Sequence, residues 1–124
     1  PDHAAVNHPN KFRIPLLLTG GAIDTSFRVR NHCSQADFAY SILQLLKLKP
    51  DHQDFRFSKS LFDLSKDFAF YFYNNGVGYR DSTGGIVYDI TGDYATLLEG
   101  SDSARYVNAA RQMTQAIDDD FLVR

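Results

Sequence analysis

A single cysteine, Cys33, excludes an internal disulfide framework in this chain. One thiol is as compatible with a reducing compartment as with an oxidising one. No apolar run approaches the roughly 20 residues that a membrane-spanning helix needs. No basic and then apolar leader opens the sequence. An excess of one charge is missing too: 13 Lys and Arg stand against 15 Asp and Glu, a formal net charge of −2. With the signs interspersed there is no basic stripe to follow a phosphate backbone, which argues against nucleic acid as a partner. The first residue is Pro1, not methionine. The expectation is that an upstream part belongs with this chain, so the missing signals describe this segment alone.

What is present is the composition of a folded protein, 44% apolar and 23% charged. A chain of this length can bury roughly two-thirds of its unfolded surface. The reading is one unit over residues 1–124, of mixed α/β class. Ile14-Pro15-Leu16-Leu17-Leu18, closed by Thr19-Gly20-Gly21, suits a strand buried on both faces, with Pro15 near its start. Residues 34–48 have helical spacing: Ser34 is a good N-cap, Asp37 stands near capping-box position, and Phe38, Ile42, Leu45 and Leu46 share a face. Pro50 ends that stretch.

From Phe68 the period changes to two. Phe68, Phe70 and Phe72 alternate with Ala69, Tyr71 and Tyr73, and Asn74-Asn75-Gly76 offers a hairpin turn. Residues 77–80 and 86–90 would continue an antiparallel meander, turning at Ser82-Thr83-Gly84-Gly85. Aromatic residues of both parities imply cover on both faces. A closing helix over 103–122 buries Tyr106, Ala110, Met113, Ile117 and Phe121.

Few residues stand out chemically. Asp2-His3 pairs a carboxylate with an imidazole, both suitable for zinc or manganese, yet leaves most of a coordination sphere empty. Spacing alone favours two solvated residues at a frayed terminus. His8 reads either as an exposed loop histidine or as a donor to a phosphate or sulfate oxygen. His32 and His52 read as surface residues, and Cys33 as a small, half-buried thiol. Asp118-Asp119-Asp120 reads as a solvated helix end, because only positions three or four apart share a helix face. Neither glycine pair has a phosphate-loop pattern.

The order of the pieces adds information. Asp2-His3-Ala4 resembles the Asp-His-Gly motif of the sulfatase and alkaline-phosphatase superfamily. Phe12-Arg13-Ile14-Pro15-Leu16-Leu17-Leu18 is similar to that family's Arg/His-(Ile/Val)-Pro-hydrophobic strand. The stretch from Gln35-Ala36-Asp37-Phe38-Ala39 to Leu43-Gln44-Leu45-Leu46 resembles its Gln-x-Asp helix, and Phe57-Ser58-Lys59-Ser60-Leu61-Phe62 the segment after it. The paired glycines and the aromatic hairpin look closest to the lipoteichoic-acid-synthase-like, phosphoglycerol-transferase branch. Ala4 replaces the usual glycine, and the interval from His3 to Ile14 is short.

The resemblance implies the C-terminal portion of a three-layer alkaline-phosphatase-like domain, with a small antiparallel meander and a closing helix. It implies a metal-dependent sulfatase, or a phosphoglycerol- or phosphoethanolamine-type transferase, acting on sulfate or phosphate esters at the bacterial envelope. Asp2 and His3 would then bind a divalent metal (Mn, Zn, Ca or Mg), and His8 would contact substrate. The nucleophile would lie upstream, leaving no catalytic residue here and an inactive fragment. The implied partners are the upstream part of the domain and a small or lipid-linked ester, with membrane contact only through an upstream anchor on the extracytoplasmic side. The other reading is a free-standing, non-catalytic module whose aromatic meander docks a partner.

Overall fold

A computed structural model of the chain describes residues 7–21 and 23–123. The described residues divide into two compact units, one of residues 7–13 with 70–123 and one within residues 14–69.

The first unit is built on a four-stranded antiparallel sheet in the order β1 (Phe68–Tyr73), β2 (Gly76–Asp81), β3 (Gly84–Asp89), β4 (Tyr94–Glu99). The expected meander forms, with turns at Asn74-Asn75 and Ser82-Thr83. Its register pairs Val77 with Tyr88 and Tyr79 with Ile86, so these four side chains share a face. β4 lies outside the sequence expectation. It pairs with β3 across an irregularity at Val87/Tyr88, which breaks the strict alternation that reveals a strand.

The closing helix spans Ser103–Val123. Asp102 caps it, its Oδ1 accepting from the Arg105 amide at 3.0 Å. Tyr106 and Ala110 pack with Val77, Ile86 and Tyr88 as the core, and Met113 lies against them. The expected stripe holds for three turns and then fails: Phe121 is 82% exposed. The helix outruns the sheet that covers it.

In the second unit the helix α1 spans Asp37–Leu45, shorter than the expected 34–48. Its buried face is also different. Asp37, Tyr40 and Ser41 turn inward, while Phe38 and Leu46 are exposed. The cause is the irregular segment beside the helix, whose backbone demands polar partners. Asp37 Oδ1 accepts from the Lys59 amide at 2.9 Å, and Ser41 Oγ from the Leu61 amide at 2.8 Å.

α1 ends in a Schellman arrangement, with the Lys47 amide donating to the Gln44 carbonyl and the Leu48 amide to the Leu43 carbonyl, both at 2.9 Å. This places Lys47 at φ 58°, where a side chain is penalised by about 1–2 kcal/mol. Lys47→Gly is therefore expected to raise stability by about 1 kcal/mol, read as a higher urea midpoint at unchanged slope.

The expected strand at Ile14–Leu18 does not form. The segment is irregular, with Ile14 66%, Leu16 52% and Leu17 85% exposed. A strand needs a neighbour to take its amides and carbonyls, and no described strand pairs with this run.

Candidate metal and substrate-binding residues

Asp2 and His3, the expected metal ligands, lie outside the described residues. His8 is described and half-buried. It is the N-cap of a short 3-10 turn, Pro9–Phe12, and its Nδ1 accepts from the Asn10 amide at 3.2 Å. That bond decides the tautomer: with Nδ1 an acceptor, the neutral ring carries its proton on Nε2. A neutral His8 in this pose offers Nε2–H as a donor, the chemistry expected of a contact to a phosphate or sulfate oxygen.

A second polar cluster in the same unit was not legible as a site. Asp81 is 8% exposed and heavily subscribed. Its Oδ1 accepts from the Thr83 amide and hydroxyl, both at 2.8 Å, from the Tyr106 hydroxyl at 2.9 Å and from the Gly84 amide at 3.2 Å. Its Oδ2 accepts from Arg105 Nη2 at 2.7 Å. Burial opposes ionisation, but the hydrogen bonds from Thr83, Tyr106 and Arg105 outweigh it and hold the carboxyl near a pKa of about 2. Such a carboxylate is a poor base at neutral pH. It clamps the β2–β3 turn to the start of the closing helix. The sequence signal is Asp81-Ser82-Thr83-Gly84, the pattern of an Asx turn.

The second unit holds a buried ion pair. Asp37 is 1% and Lys59 4% exposed. Lys59 Nζ lies 3.6 Å from Asp37 Oδ2 and donates to the His32 carbonyl at 2.8 Å. Asp37 Oδ2 also accepts from the Ser34 amide at 2.7 Å, yet Ser34 is not the N-cap expected of it: that position is Ala36, with no side-chain cap bond, and Ser58 Oγ donates to the Ala36 carbonyl at 2.7 Å. The helix and the 57–62 segment, which carry two of the resemblances, are thus pinned together.

Cys33 is half-buried, as expected, with Sγ 3.7 Å from Lys59 Nζ. Burial pushes its thiol pKa up despite the lysine, so little nucleophilic thiolate forms near neutrality. The reading of His32 as a surface residue is corrected: it is half-buried, and its Nδ1 and amide both meet Asp67 Oδ1, at 2.9 and 2.6 Å. His52 is exposed, yet its Nε2 contacts the Tyr40 hydroxyl at 3.0 Å. Of the expected solvated helix end, Asp118 and Asp119 are exposed, whereas Asp120 is half-buried.

Among the described residues, no group of three or more His, Cys, Asp or Glu side chains is arranged to hold a metal ion. No described helix is long and apolar enough to cross a membrane. Comparison with models of protein families, with curated proteins and with solved structures finds no match.

Proposed function

We propose that this chain is the C-terminal part of a metal-dependent sulfatase or phosphoglycerol- or phosphoethanolamine-type transferase. Its parent domain is a three-layer alkaline-phosphatase-like fold at the extracytoplasmic face of the bacterial envelope. The observation that carries the reading is the exposed Ile14–Leu17 run. Three large aliphatic side chains there are 52–85% exposed, in a sequence suited to a strand buried on both faces. A run of this kind is stable only when a sheet takes its backbone and covers its side chains. The order of the family-like segments, from Asp2-His3 through the Lys59 segment to the hairpin, adds to it.

Asp2 and His3 supply one carboxylate and one imidazole, a donor set that fits zinc or manganese. Two adjacent ligands leave a sphere incomplete, so the upstream part of the domain supplies the rest. When bound, the metal lowers the nucleophile's pKa and neutralises charge on the transferred group. This chain's own residues hold and orient: Asp2 and His3 the metal, and His8, through Nε2–H, an ester oxygen. None of them attacks phosphorus or sulfur. The isolated chain is therefore inert, and substrate comes as a phosphate or sulfate ester to the complete domain.

The test is turnover by the native gene product. It should cleave or transfer from a phosphodiester or sulfate ester only with a divalent metal. Asp2→Ala with His3→Ala should lower the rate at least about 10²-fold.

A further inference from the structure

His8 can meet a substrate only if the loop that carries it is held in place. Residues 7–12 contain a single 3-10 turn, and short turns of this kind do not hold themselves. Within the loop, the Lys11 amide donates to the His8 carbonyl at 3.0 Å, and the Asn10 amide to His8 Nδ1.

One side chain of β1 engages both ends of the loop. The Tyr71 ring stacks on Phe12 with centroids 4.0 Å apart and planes 17° from parallel. Its hydroxyl donates to the Asn7 carbonyl at 3.2 Å. The neighbouring strand is shaped for this ring: a Cβ at Gly78 would come within 2.0 Å of Tyr71, so only glycine leaves it room. Burial pushes the Tyr71 phenol up to about 12, and it stays a proton donor through the physiological range.

We infer that Tyr71 is a positioning residue for His8, holding residues 7–12 at both ends so that His8 keeps Nδ1 on the Asn10 amide and presents Nε2–H. The functional consequence rests on the substrate role proposed above for His8, whereas the anchoring does not.

The experiment is ¹⁵N NMR of the His8 imidazole, with amide hydrogen exchange at Asn10 and Lys11, on the whole 124-residue chain. Wild type, Tyr71→Phe, Tyr71→Ala and Phe12→Leu are compared. Wild type should show the Nε2–H tautomer. Tyr71→Phe keeps the stack but loses the bond to Asn7, and should speed exchange at Lys11 about fivefold. Tyr71→Ala and Phe12→Leu should speed it roughly tenfold or more, with the His8 signals moving toward a tautomer average. Phe12→Leu leaves the sheet untouched, so loss of folding in Tyr71→Ala would not blunt the test. An unchanged tautomer and unchanged exchange in a folded Phe12→Leu chain would overturn the inference. These readouts need neither metal nor turnover, so a parent without esterase activity would sink the functional reading and leave the anchoring standing.

Discussion

Replacing Asp37 with alanine is expected to destabilise the unit of residues 14–69 by about 3–5 kcal/mol. The carboxylate is 1% exposed and takes the Ser34 and Lys59 amides as well as the Lys59 ammonium. Its removal leaves a 4%-exposed lysine without its counter-charge and two amides without acceptors. Breaking such a pair costs more than the pair contributes, because the orphaned charge stays desolvated. The double replacement Asp37→Ala with Lys59→Met should therefore cost less than the two single changes added together, by at least about 1 kcal/mol. Urea denaturation of the four proteins measures the difference. Strict additivity, or a cost below about 1 kcal/mol for Asp37→Ala, would mean that the pair is not buried as described.

Asp81→Ala is expected to cost about 3 kcal/mol at neutral pH, since it strips partners from Tyr106, Thr83, Gly84 and Arg105 in one step. It also carries a pH signature. The folded-state pKa of Asp81 is depressed to about 2 from 3.8. Its contribution is therefore fully present above the ordinary carboxylate pKa and is lost as pH falls through the folded value. That contribution is on the order of 2 kcal/mol. Between about pH 5 and pH 2, wild type should lose this amount relative to Asp81→Ala, whose acid limb is shallower. Parallel limbs would contradict the clamp.

The parts of the fold that were legible share one property: local sequence and tertiary partner agree. Asn74-Asn75-Gly76 is a turn in any context that offers two strands, and β1 and β2 supply them. The Tyr106–Ala110–Met113 stripe matches one face of a helix, and the sheet beside it is apolar at Val77, Ile86 and Tyr88. Where local and tertiary preferences part, the tertiary partners decide. Phe38 of α1 and Leu46 just past its end are exposed because the backbone at Lys59 and Leu61 needs the oxygens of Asp37 and Ser41. Tyr94–Glu99 has the leucines and alanine of a helix, yet β3 offers it an edge. Ile14–Leu18 has the composition of a strand and, among the described residues, no strand to join.

The candidate site was legible only as chemistry. His8 could be named as a donor, but its tautomer needed the Asn10 amide, and its anchor, Tyr71, lies 63 residues further along the chain. Nothing in the sequence couples Phe12 to Tyr71. An aromatic alternating in a strand reads as core until the stacking partner is seen. Asp81 was hidden for the opposite reason, because a turn rich in Asp, Ser, Thr and Gly is explained locally and invites no search for Arg105 and Tyr106.

The most direct measurement is ester turnover by the native gene product, captured from envelope and soluble fractions with an antibody against this chain and assayed with and without chelator. The expected result is a species well above 14.0 kDa in the envelope fraction, with phosphodiester or sulfate-ester turnover that chelator abolishes and divalent metal restores. A soluble species of 14.0 kDa without turnover, with or without metal, would contradict it and leave a free-standing interaction module.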